Sequence, residues 1–215
     1  MPLTQEDTVF EALQKDIFAG EMPVGTFLSQ RKLAAQFETS LITLRAALRR
    51  LENCGLIENV PRWGVRIPED SPEQVRDRYF MREVLELGGL SRALPGMGEP
   101  QWGRLQALAA ACDANGGRGD AAIRAFAGTH HALHRCLVEC ADSPLLLEQY
   151  DRLMARNLML INARRGWATG RDRSNDHHQT LIRSLRALSL TEASAALRDH
   201  IRRGLEAEMQ AMSSS

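Results

Sequence analysis

Read for the spacing of apolar and polar positions, the chain changes character near residue 70. Before it, helical stripes alternate with short β-prone runs; after it, only helical periodicity is left. The first stripe, Val9, Leu13, Ile17 and Phe18, predicts a helix ended by Gly20, and Pro23 with Gly25 forces a turn. A short helix around Gln30–Phe37 follows, then a tight turn through Glu38-Thr39-Ser40. A longer helix then runs to about Asn53, with Leu44, Leu48 and Leu51 as its inward stripe and Gly55 as its stop. Leu56–Val60 and Val65–Ile67 are β-prone runs joined by Pro61-Arg62-Trp63-Gly64, which predicts a hairpin. Helix, helix, turn, helix, hairpin is the layout of a winged helix-turn-helix.

The boundary lies at Pro68-Glu69-Asp70-Ser71-Pro72 and divides the chain into residues 1–70 and 71–215. Ser71 reads as a helix cap, Pro72 fits the first turn where its missing N–H is harmless, and Gln74 can close a capping box. Helical periodicity then runs through Pro72–Leu94, Gln101–Asn115, Asp120–Ala141, Pro144–Arg164, Asn175–Leu188 and Glu192–Met212. The breaks fall at Pro95-Gly96, Gly116-Gly117, Asp142-Ser143-Pro144 and Gly166 to Ser174, with another capping box at Ser189-Leu190-Thr191-Glu192. Six helices with short connections imply an antiparallel bundle. The fold class is therefore mainly α: an N-terminal winged helix-turn-helix with a small β-hairpin, then an antiparallel all-α bundle of about six helices.

Charge narrows what the first segment can do. The chain carries 27 basic and 27 acidic residues, so it cannot coat nucleic acid by bulk charge, and any DNA contact must be local. Lys15 and Lys32 are the only lysines, a bias toward arginine that suits bidentate recognition and that GC-rich codon usage also produces. Between Arg31 and Arg66, seven basic residues (Arg31, Lys32, Arg45, Arg49, Arg50, Arg62, Arg66) stand against Glu38, Glu52 and Glu58. Arg45 and Arg49 lie one turn apart on the longer helix. Such a helix fits the major groove, where arginine bridges guanine O6 and N7 or clamps phosphate; the alternative is a merely solvated helix face. Arg62 at the wing tip is placed to reach a phosphate or the minor groove.

Two further observations bound the setting. Met1 to Phe10 has no signal-peptide core, and no stretch approaches 18 uninterrupted apolar residues, so a soluble, cytoplasmic protein without a membrane partner is expected. Cys54, Cys112, Cys136 and Cys140 lack CxxC spacing, and Cys136 and Cys140, one turn apart, read as buried thiols.

All six histidines follow residue 129: His130, His131, His134, His177, His178 and His200. His130 and His134 stack on one helix face, while His131 points about 100° away. The sequence midpoint of His178 and His200 falls in the turn between the last two helices, so an antiparallel hairpin sets them at one height. If both face inward they converge on His130 and His134. Three or four imidazoles in a bundle core suit Zn, Ni, Cu or Fe rather than Mg or Ca, although a histidine taken alone is more often a satisfied core or surface residue than a ligand. A metal-dependent enzyme would need an open coordination position and a general base, and no H-E-x-x-H or comparable motif is present. Asn157, on an apolar face with Leu153, Met154, Leu158 and Ile161, reads as a tolerated edge residue.

Several of these runs resemble known families. Leu33-Ala34-Ala35-Gln36-Phe37, Ser40 to Leu51 with Arg45-Ala46-Ala47-Leu48, Gly55-Leu56-Ile57-Glu58 and Pro61-Arg62-Trp63-Gly64 resemble the DNA-binding domain of the GntR family, over roughly Val9 to Ile67. The resemblance implies a homodimer that binds a palindromic double-stranded DNA operator through Arg31, Arg45, Arg49 and the wing residues Arg62 and Gly64. The chain departs from the family pattern at Leu41 and Thr43, where an arginine and a proline are usual. The second segment resembles the FCD ligand-binding domain of the FadR/VanR branch through Leu133-His134-Arg135, Ser143-Pro144-Leu145-Leu146 and the run from His178 past Leu181, Ile182 and Leu185 to His200. This implies His134, His178 and His200 as ligands of a divalent transition metal, Zn or Ni, with His130 standing where the family has an Asp.

Tyr79 to Glu86 resembles the family's first bundle helix, in which an arginine helps hold a carboxylate effector. Arg82 takes that place, and its other reading is an ion pair with Glu86 one turn on. The expectation is a ligand-responsive, non-enzymatic transcriptional regulator, a repressor, with a metal-dependent enzyme on a four-His bundle as the alternative.

Overall fold

The computed structural model describes residues 4–19, 21–115, 120–155 and 178–213. They form two compact units, the first running to Asp70 and the second beginning at Ser71.

In the first unit, α1 (Gln5–Ala19) and α2 (Gln30–Gln36) both pack on α3 (Leu41–Asn53), and the hairpin β1 (Glu58–Val60) and β2 (Gly64–Arg66) follows. The predicted stripes do the packing: Val9, Leu13 and Ile17 of α1 and Leu44, Ala47, Leu48 and Leu51 of α3 are buried in one core with Leu56, Ile57, Val65 and Ile67. α3 ends where Gly55 was expected to stop it, and the geometry gives the reason. Gly55 takes φ +69°, its N–H donates to Glu52 O at 2.8 Å, and the next N–H, of Leu56, donates to Leu51 O at 2.9 Å. This is a Schellman closure, with Leu51 and Leu56 supplying its apolar contact.

The strands are antiparallel, pairing Glu58 with Arg66 and Val60 with Gly64. They are shorter than the β-prone runs suggest. A feature absent from the sequence reading is that the stretch after Pro23 runs along the hairpin, with Val24 bridging Ile67 and Leu28 bridging Val65. Gly64 makes this approach possible. Its φ is +104°, and a Cβ there would lie 2.3 Å from Leu28 O.

The second unit contains, among the described residues, six α-helices: α4 (Pro72–Ala93), α5 (Glu99–Ala114), α6 (Asp120–Glu139), α7 (Pro144–Ala155), α8 (His178–Ala187) and α9 (Leu190–Ser213). A 3-10 turn, Leu94–Gly96, takes up the break expected at Pro95-Gly96. Both capping boxes form. The Ser71 hydroxyl accepts from Gln74 N and the Gln74 side chain accepts from Ser71 N, and Ser189 and Glu192 exchange the same pair of bonds. α4 packs on α6 and α9, α5 packs on α6 and α8, and α8 packs on α9. Five helices thus close a ring, α4–α6–α5–α8–α9, around a core of Leu90, Leu105, Leu133, Ile182, Leu185, Leu197 and Ile201. Asn157, His177, the Gly116-Gly117 and Gly166 to Ser174 breaks, and the predicted extension of α7 beyond residue 155 lie outside the described residues. No helix among the described residues is long and apolar enough to cross a membrane.

Candidate functional site

The reading head is built from the first turn of α3 outward. Ser40 caps the helix: its hydroxyl accepts from Thr43 N at 3.1 Å and lies 2.9 Å from Thr43 Oγ1. Leu41 is partly buried against the core. Arg45 and Arg49 are exposed, turned about 100–160° away from Leu44 and Leu51 round the helix. Arg45 is held as well as exposed. Its Nε donates to Gln30 Oε1 at 3.0 Å, Gln30 Nε2 donates to Asn59 Oδ1 at 3.2 Å, and Asn59 N donates to Glu52 Oε1 at 3.1 Å. This chain joins α2, α3 and β1, and because Gln30 is neutral it aims the guanidinium without cancelling its charge.

The remaining basic residues divide by partner. Arg50 bonds Asp7 at 2.8 Å and stacks 4.1 Å from the Phe10 ring centroid. Arg66 pairs with Glu58 across the hairpin at 2.8 Å. Both knit the unit together. Arg31, Lys32 and Arg62 are exposed like Arg45 and Arg49, and Arg62 sits at the wing tip with φ +73° beside the exposed Trp63. Gly64 has a structural duty of its own, the approach to Leu28.

In the helical unit, four histidines from three helices come together. The rings of His130 and His134 on α6 lie 4.5 Å apart, those of His134 and His200 5.1 Å, and those of His178 and His200 5.2 Å. His131, about 100° round the helix from His130, stacks on Tyr150 with ring centroids 6.3 Å apart.

Two carboxylates that the sequence did not mark for the centre orient it, one buried (Glu86) and one half-buried (Asp113). Glu86 on α4 accepts from His134 Nδ1 at 2.7 Å and from Arg82 Nε at 2.6 Å, with the Tyr150 hydroxyl at 3.5 Å. Asp113 on α5 accepts from His178 Nδ1 at 2.9 Å and also from the backbone N–H groups of His178 and Gln179 at 3.0 and 3.1 Å, capping the start of α8. Every helix of the ring therefore sends a polar side chain inward. Arg82 makes the pairing with Glu86 that its spacing allows, but in the interior rather than on the surface.

Electrostatics fixes the protonation of this group. Burial by itself would raise the Glu86 carboxyl, but Arg82 and His134 pull it down to about 2. Asp113 is likewise lowered, by the bonds it accepts from Gln179 and His178, against the opposing effect of burial. Two ionised carboxylates accept only, so they fix His134 and His178 as Nδ1–H tautomers with Nε2 lone pairs turned the other way. Burial, then the neighbouring imidazoles and Arg82, hold His130 and His200 well below the usual imidazole range. Burial and Arg82, opposed by Glu86, bring His134 to about 4. Neutral imidazoles are the ligating form.

The donor set fits a metal ion better than it fits hydrogen bonding within the cluster. His134 Nε2 lies 3.2 Å from His130 Nε2 and 3.2 Å from His200 Nε2. One lone pair cannot accept well from two donors, whereas tetrahedral bonds of about 2.0–2.1 Å set neighbouring nitrogens about 3.3 Å apart. His178 Nε2 is buried and has no hydrogen-bond partner, an arrangement that costs stability unless something else takes the lone pair. The histidines whose ligand atoms all lie within 4.8 Å of one another are His130, His178 and His200; His134, whose Nε2 is close to His130 and His200, stands outside that group.

A winged helix-turn-helix joined to an all-helical unit with a polar centre defines a class of two-part bacterial regulators. Residues 5–67 match the bacterial regulatory proteins of the gntR family, and residues 77–203 match the FCD domain. The chain belongs to the GntR family of regulators that carry an FCD domain. It is 26% identical over 211 residues to the HTH-type transcriptional repressor GlaR of Escherichia coli, covering 93% of this chain and 94% of that one. It is 32% identical over 97 residues to an HTH-type regulator in an unstable DNA locus of Streptomyces ambofaciens, a match spanning 45% of this chain and 41% of that relative. The solved structure of E. coli McbR/YncC superposes with a TM-score of 0.78 at 18% identity, over 97% of this chain and 99% of that one, and so shares the fold. These relatives are transcriptional regulators and not enzymes, and GntR regulators bind DNA operators, typically as dimers.

Proposed function

We propose that this chain is a ligand-responsive repressor that binds a palindromic double-stranded operator as a homodimer and answers to a small carboxylate bound at a metal centre. The observation that carries the reading is the four-imidazole cluster, with a buried, unpartnered His178 Nε2, in a chain whose other unit exposes Arg45 and Arg49 on the third helix of a winged helix-turn-helix. Residues 1–70 serve as the DNA-binding domain and residues 71–215 as the effector-binding and dimerisation domain, working in the cytoplasm. Arg45 and Arg49 enter the major groove, Arg31 and Arg62 contact the backbone and the flanking groove, and Gly64 keeps the wing in position.

His130, His134, His178 and His200 hold the metal, Zn or Ni. When bound, the ion supplies a Lewis-acidic position for an effector carboxylate. Four neutral imidazoles leave all of its charge for the effector, and Arg82, buried against Glu86 beside the cluster, adds to the attraction for an anion. The effector acts through its different affinities for the DNA-bound and DNA-free states.

Two measurements test the reading. Elemental analysis of protein purified without a nickel column should find close to one transition-metal ion per chain; protein that stays metal-free after Zn or Ni is added removes the metal from the proposal. Fluorescence anisotropy with duplex DNA from upstream of the protein's own gene should show salt-sensitive, sequence-preferring binding. Binding indifferent to sequence would remove the operator.

A further inference from the structure

We propose that Ile42 reads a thymine, packing its side chain against the C5 methyl group when α3 lies in the major groove. This rests on the assignment of α3 as the recognition helix. The apolar residues of α3 sort onto two faces. Leu44, Ala47, Leu48 and Leu51 are buried and Leu41 is partly so, but Ile42 is 81% exposed. Stepping 100° per residue, Ile42 lies diametrically opposite Leu51, within about 20° of Arg49 and about 60° of Arg45. The chain thus places a bare isoleucine in line with its two groove-facing arginines, in the first turn, from which recognition helices contact base edges.

The surroundings identify what covers it. Arg31, Lys32, Arg45, Arg49 and Arg62 are exposed on the same unit, so the complementary surface is polyanionic, and the polyanion must offer an apolar group. In the major groove that group is the thymine methyl. Opposite a G·C pair the isoleucine would instead strip water from the major-groove side of guanine O6 or cytosine N4 without replacing its hydrogen bonds, which is unfavourable. The side chain is also suited to the contact because a β-branched residue on a helix is held near one rotamer, and the Ser40–Thr43 bonds fix the turn that carries it. Reading a methyl group here shifts part of the operator preference from hydrogen bonding to apolar contact.

The test uses the full chain and a duplex selected from randomised DNA. Each thymine of a half-site is replaced in turn by deoxyuridine, which lacks only the methyl group, and affinity is read by anisotropy. One thymine per half-site should weaken wild-type binding about fourfold when replaced, the effect of one methyl returned to water. The same replacement should leave Ile42→Ala, whose fold is checked by circular dichroism, unchanged within twofold. If wild-type protein binds its selected duplex in a salt-sensitive way yet ignores every deoxyuridine, or if Ile42→Ala keeps the full methyl sensitivity or instead changes the oligomeric state, the assignment of Ile42 is overturned and the regulator reading stands. If no duplex is selected at all, both fall.

Discussion

The two units place their polar chemistry on opposite sides of their cores. In the first unit the fourteen buried core residues are all apolar, and the arginines of α2, α3 and the wing stand outside it. In the helical unit Arg78, Arg82, Glu86, His134 and His178 are themselves buried. A surface site can be altered without disturbing what folds it. An interior site cannot, because each of its polar groups was desolvated on folding and depends on its partners. The first unit should therefore separate function from stability, and the second should couple them.

The most severe test of that contrast is Glu86→Ala. It strands the Arg82 guanidinium and frees His134, and the helical unit should lose about 3–5 kcal/mol, read as a large drop in melting temperature; a change under about 1 kcal/mol would mean the buried network is not needed for folding. Asp113→Asn comes next. It keeps the shape but weakens the hold on the His178 tautomer, so zinc affinity in a chelator competition should fall about 10–100-fold with a smaller loss of stability. Arg45→Ala should weaken operator binding by about 1–3 kcal/mol while leaving the melting temperature within the scatter of surface substitutions; loss of stability would show that the Gln30–Arg45 bond is structural. Gln30→Ala, which only releases Arg45, should have a smaller effect in the same direction.

The last test varies pH. His134 takes up its proton near 4 in the folded chain and near the ordinary imidazole value of about 6.5 when unfolded. Between these values the unfolded chain binds more protons, so acidification favours unfolding. Stability is complete above about 6.5 and declines toward 4. With all six histidines after residue 129, hydrogen exchange should show the helical unit opening first.

What the sequence disclosed follows the range of each interaction. The capping boxes at Ser71 and Ser189 and the stop at Gly55 involve neighbours in the chain, and they form as their residue types require. The histidine convergence was legible because helical spacing sets His130 beside His134, and hairpin symmetry sets His178 beside His200. Glu86 and Asp113 were invisible as orienting groups because they reach their histidines across 48 and 65 residues, and no local pattern encodes that. For Glu86 the one clue was its i,i+4 relation to Arg82, which reads equally as a surface pair. The pairing of the Val24–Leu28 stretch with the hairpin was hidden for the same reason. Gly64, marked by resemblance for a DNA contact, proves to have a steric reason as well, seen only once Leu28 O is in place.

The position of Glu86 also bears on how such a centre can change over evolutionary time. One carboxylate serves Arg82, His134 and Tyr150, so a lineage that loses it loses the scaffold along with the centre and is purged. His130 and His200 are only partly buried and hold no buried charge in place. Substitution has its open route there: these two positions of the proposed ligand set can be retuned while the framework that presents them stays fixed.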